Sequence, residues 1–149
     1  MTSTHKSNSS EQQAAEAAIL RALENKLGIK FDGDAKLPIE VGVQPDAIDT
    51  ESKTVAEVYA RIGAVKGAQL HKIKGDILKL ALIGTRLNDD WRKILCFASD
   101  EAASYASGKS WVAEAAREFG IEVIVVAIPA EIRESVMNAQ TRQRMVNTE

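Results

Sequence analysis

The stretch "IEVIVVAIP", residues 121–129, constrains the fold most, because apolar side chains fall on successive positions. A strand points alternate side chains to opposite faces, so a run of this kind must be covered on both sides, as in a sheet sandwiched between helices. A second run, "RKILCFAS" at 92–99, has the same character. Between them lie patterns with helical spacing, and strands alternating with helices predict an α/β fold.

The remaining elements follow from period and punctuation. Glu16, Leu20, Leu23 and Leu27 recur at steps of four and three before Gly28, which predicts a first helix beginning near Ser10. "IKFDGDAKLP" is a connector with turn chemistry at Asp32-Gly33-Asp34. "IEVGVQPDAID", residues 39–49, alternates Ile39, Val41 and Val43 with polar or small residues and predicts a strand, broken or placed at an edge by Pro45. With the strand in "TVAEVYARIGAVKG" it predicts two or three antiparallel strands. Leu70, Ile73, Ile77, Leu80 and Ile83 draw the stripe of a second helix that ends near Gly84. Ser99 with Asp100 and Glu101 opens a third helix, interrupted at Gly108 and closed at Gly120, and a last helix follows Pro129.

Composition narrows the function classes. The 149 residues are 45% hydrophobic, enough for one domain over 11–149 behind a polar lead-in, "MTSTHKSNSS", that is expected to be disordered. Nineteen Lys and Arg against 21 Asp and Glu give a net charge of -2, so no global basic field announces nucleic acid or anionic membrane. Cys96 has no second cysteine to pair with and sits in an apolar strand, where a small, inert, buried thiol is expected. No run approaches the length of a membrane span, and a cytoplasmic location is the expectation.

The chemistry centres on Glu57. Charge in an apolar β-branched run requires a reason, because an unpaired buried carboxylate is costly. One reason is ordinary: Glu57 and Arg61 pair on a solvated strand face, and Asp46 is turn chemistry after Pro45. The other is functional. If the segments around Asp46 and Glu57 pair through the "TESK" turn, the two acids meet, and two carboxylates suffice to hold a divalent cation that takes its other ligands from water and phosphate.

A helix, strands carrying "PD", an acid on the next strand, then a helix and a strand resemble the PD-(D/E)XK nuclease superfamily over roughly Ser10 to Ser99. The resemblance implies a restriction-endonuclease-like fold, a central mixed sheet of four to five strands flanked by helices. It implies Asp46 and Glu57 as ligands of Mg²⁺ or Mn²⁺, with a further acid from the first helix, for which Glu16 is the candidate and Glu24, off the stripe, the weaker one. The activity implied is metal-dependent hydrolysis of nucleic acid, with DNA the expected partner. The family's usual lysine, two positions after the second acid, is replaced by Tyr59. Some members supply that lysine from the following helix, so Lys72 is the expected migrated lysine, Gln69 its supporting contact and Lys66 the fallback. The alternative is the same fold without catalysis, binding nucleic acid or protein as a homo-oligomer or as a subunit of a larger complex. Basic residues on the second and last helices, Lys66, Lys72, Lys74, Lys79, Arg133, Arg142 and Arg144, suit a phosphate backbone or simple solubility equally. A third arrangement, a parallel doubly wound sheet, would instead put a ligand near Ser99 or Pro129.

Other motifs carry less. "SGKSW" has Ala103 where a phosphate-binding loop needs glycine, and His5 and His71 have no metal-ligand spacing.

Overall fold

The computed structural model of the chain describes residues 2–147, with side chains described over 10–146. Its elements are α1 (Thr2–Leu27), β1 (Ala47–Asp49), β2 (Thr54–Tyr59), α2 (Ala68–Arg86), β3 (Arg92–Phe97), α3 (Asp100–Ser107), α4 (Trp111–Glu118), β4 (Ile121–Val125) and α5 (Ala130–Asn147). The expectation for the lead-in falls mostly on residues whose side chains lie outside the described ones; the bounds of α1 begin at Thr2.

The four strands form one open mixed sheet in the order β1-β2-β3-β4. β1 runs antiparallel to β2, with Ala47 opposite Ala56, and β2, β3 and β4 are mutually parallel. Alternation along the strands builds a core on each face. Val55, Tyr59, Leu95 and Phe97 pack with Ile73, Ile77, Leu80 and Ile83 of α2 and with the small faces of α3 and α4. Ala56, Val58, Ile94 and Cys96 pack with Ala15, Ile19 and Leu23 of α1 and Val136 of α5. The protein is thus a three-layered α/β fold, as three apolar strands alternating with amphipathic helices require.

Several elements depart from the sequence reading. The strand expected at 39–49 shrinks to Ala47–Asp49. Pro38 and Pro45 cannot donate to a ladder, and Gly42 adopts φ 71°, outside any strand conformation. The alternation of Ile39 and Val41 reflects a loop that lays its apolar side chains against the α2-side core. Only one antiparallel pair therefore forms. β4 lies at the sheet edge and stops at Val125, with Val123, Ile124 and Val125 only half-buried, so its apolar run marks an edge partly covered rather than a central strand. The third helix is two. Gly108 ends α3 with its N–H donating to the Ser104 carbonyl at 2.8 Å, and Ser110 caps α4 by accepting from the Ala113 amide at 3.0 Å. In α1 the buried stripe is Ala15, Ile19 and Leu23, one position round from that expected, which leaves Glu16 half-buried beside it.

Ile94 is fully buried in β3 between two parallel neighbours. Ile94→Ala is expected to lower unfolding free energy by about 2–5 kcal/mol, read as a lower urea midpoint with unchanged slope.

Candidate functional site

Pro45 delays the start of β1, and the residue just before the pairing is Asp46. Continuing the antiparallel register places it opposite Glu57 on β2. With no β1 carbonyl to take the next amide, the Asp46 side chain does so: its Oδ2 accepts from the Val58 N–H at 3.0 Å. That bond aims the exposed Asp46 carboxyl at the buried Glu57 carboxyl, and the two lie within hydrogen-bonding reach.

Glu57 is 1% exposed. Its cation comes from α2. Lys79 Nζ stands 2.5 Å from Glu57 Oε1, 3.7 Å from Asp76 Oδ1, and donates to the Gln44 carbonyl at 3.2 Å. Oε1 is buried, and the partner it meets is this ammonium. Lys72, Asp76 and Lys79 follow one edge of α2 at helical steps of four and three, and that edge faces β2. Asp76 is buried and accepts from the Tyr59 hydroxyl at 2.7 Å and from Lys72 Nζ at 2.9 Å. The Tyr59 ring stacks on Phe97 with centroids 4.5 Å apart, and the Lys72 ammonium lies 4.7 Å from the centre of the Tyr59 ring.

Electrostatics follow from this packing. Desolvation, then the hydrogen bond with Asp46, pushes Glu57 up to about 8, against the pull of Lys79. At neutral pH the Glu57 carboxyl is therefore held largely protonated beside the Asp46 carboxyl and the Lys79 ammonium. Burial alone would lower Lys79, but Glu57, Asp76 and Asp46 outweigh it and hold the ammonium above its usual value. Burial, reinforced by Asp76, keeps Tyr59 a neutral hydroxyl donor. Burial likewise pushes the Cys96 thiol up to about 12, as expected of an inert thiol in an apolar strand.

The structure thus brings Asp46 and Glu57 together and adds Lys79 and Asp76. The Arg61 partnership expected on a solvated face does not form, because Glu57 points into the interior toward α2. Lys72 makes its ion pair with Asp76, one helical turn from Lys79, and none with Glu57. Gln69 accepts from the Lys66 amide at 3.1 Å. Glu16 accepts from Gln12 at 3.4 Å and, with Gln69, Lys72 and Arg61, lines a cavity of about 170 Å³ beside Val58 and Tyr59. Glu24 takes the Phe31 amide at 2.8 Å, closing the end of α1. Among the described residues no cluster of three or more His, Cys, Asp or Glu forms, so a cation here would rest on the Asp46 and Glu57 pair. Lys79 was legible only as one of several basic residues; the polar edge Lys72, Asp76, Lys79 beside the stripe Ile73, Ile77, Leu80 was the signal for it.

No family model, curated protein or solved structure matches the chain. Among the described residues no helix is long and apolar enough to cross a membrane.

Because folded Glu57 holds a proton up to about pH 8 and the unfolded side chain releases it near 4.5, the folded state binds more protons between those values. Its contribution is full below pH 4.5 and is lost as pH rises to 8, an effect of the order of a few kcal/mol. Urea unfolding across that range is expected to show the decline, and Glu57→Gln, neutral throughout, to flatten it.

Proposed function

We propose that this protein is a metal-dependent nuclease of the PD-(D/E)XK type, with Asp46 and Glu57 as cation ligands and Lys79, rather than Lys72, as the lysine beside them. The observation that supports it is the meeting of one exposed and one buried carboxyl at the end of the β1/β2 pairing, with an ammonium supplied by α2. The donor set suits Mg²⁺ or Mn²⁺: carboxylate oxygens only, one of the two carboxyls open to solvent, where water and phosphate could complete the coordination. When bound, such a cation supplies Lewis-acid polarisation of a phosphodiester and of the attacking water.

The chain's own residues have separable duties. Asp46 and Glu57 would hold the cation, with Glu57 giving up its proton when the metal binds. Lys79, fixed between Glu57, Asp76 and the Gln44 carbonyl, orients the water or offsets developing phosphate charge. Asp76 holds Lys79, Lys72 and Tyr59 in register, a positioning duty. Tyr59 fills the place of the usual lysine with a ring stacked in the core, so its polar end serves Asp76 rather than substrate.

A second reading, a nuclease-like fold that binds without cutting, draws support from the same contacts: protonation of Glu57 and the Lys79 ammonium relieve the acid pair without a metal. Titration of Mg²⁺ or Mn²⁺ separates the two. Binding with release of about one proton, tighter at pH 8 than at pH 6, is the outcome expected for the nuclease; a silent titration at millimolar metal leaves the binding module. With Mn²⁺ and a DNA substrate, Asp46→Asn, Glu57→Gln and Lys79→Met are each expected to lower cleavage by about a hundredfold or more, whereas Lys72→Met lowers it less. Equal cleavage by the Lys79→Met and wild-type proteins would remove the lysine assignment.

A further inference from the structure

A larger cleft, of about 700 Å³, opens beyond the carboxyl end of β2, next to the smaller cavity, with Arg61 and Gln69 in the wall of both. Its floor is the chain leaving β2 at Ile62 and Gly63, where Gly63 turns at φ 90° and donates its N–H to Ser99 Oγ, just past β3, at 3.1 Å. One wall is α5, clamped to that floor by Gln140, whose amide accepts from the Ile62 N–H at 2.9 Å and donates to the Ile62 carbonyl at 3.0 Å. The rim and walls carry Arg61, Lys66, Arg133 and Arg144 against one acid, Glu101.

This concentration of positive charge runs against a chain whose net charge is -2. Among the described residues none of the four cations has an acidic partner; Arg133 reaches only the Ala98 carbonyl, at 3.4 Å. The Arg61 Nε is buried with no hydrogen-bond partner at all. A buried guanidinium nitrogen left unpaired is costly, and four unneutralised cations around one cleft repel. An oxyanion in the cleft relieves the repulsion, and arginine donates to phosphate in the paired geometry that lysine cannot offer. The cleft's size exceeds that of a single ion and falls in the range of nucleotide-sized ligands. The carboxyl ends of parallel strands are also where open α/β sheets place ligands.

We infer that the Arg61, Lys66, Arg133 and Arg144 cleft is a binding site for a phosphate-bearing ligand of nucleotide size, either a free nucleotide or one unit of a nucleic-acid strand. It stands apart from the hydrolytic reading, since none of the four cations touches Asp46, Glu57 or Lys79.

The test is calorimetric titration of the full chain in EDTA, where cleavage cannot occur, with a nucleoside monophosphate and separately with a single-stranded oligonucleotide. Binding of either is expected, weakened at least tenfold in the exposed double variant Lys66→Gln/Arg144→Gln and again in Arg61→Gln, with unchanged circular dichroism in the double variant. Binding of the oligonucleotide alone assigns the phosphate to a polymer backbone, and binding of the mononucleotide, alone or as well, assigns a small ligand. Silence with both probes, or affinity unchanged in the double variant, overturns the site. Asp46→Asn retains binding if the cleft is separate, so loss of the nuclease reading leaves this result standing.

Discussion

The apposition of Asp46 and Glu57 is the constraint on which the centre of this molecule depends. Two carboxyls brought together, one beneath the surface, require a proton, an ammonium or a metal cation between or beside them. The fold supplies the first two. Pro45 holds off the start of β1, so that the Asp46 side chain takes the Val58 amide, and α2 carries Lys79 to Glu57 Oε1. Asp76 then connects that lysine to Tyr59, whose ring is locked on Phe97 in the core. The polar cluster and the apolar core are therefore one structure, and neither can shift without the other.

That coupling also explains the unusual position of the acid. Glu57 occupies a strand position flanked by Val55 and Tyr59, which pack on α2. An apolar residue there would extend the core without penalty. A carboxyl there is instead held protonated to about pH 8 by burial, with a solvent-exposed carboxyl and an ammonium beside it.

How far the sequence alone could be read varied by element for physical reasons. The α2 stripe, β2 and β3 were legible because buried side chains at regular period leave a direct mark. The loop at 39–43 misled because its alternating apolar residues do pack against the core, and only the prolines and the left-handed Gly42 keep it from pairing. The pairing of Asp46 with Glu57 was legible from a short turn between two strand-like segments. The choice between Lys72 and Lys79 was not, since both lie on the same helix edge and only the axial position of α2 against β2 decides which meets Glu57.

The amino-acid sequence by itself determined the layered α/β class, the break in regular pairing at Pro45 and the approach of two acids across a short turn, because period, proline and turn chemistry act locally. Tertiary structure decided the rest: which lysine closes the carboxyl pair, that Glu16, Gln69 and Lys72 gather at a separate cavity, and that four distant cations surround one cleft. Those contacts join residues far apart along the chain, and their distances are set by how helices slide and rotate on the sheet, a degree of freedom that no local pattern encodes.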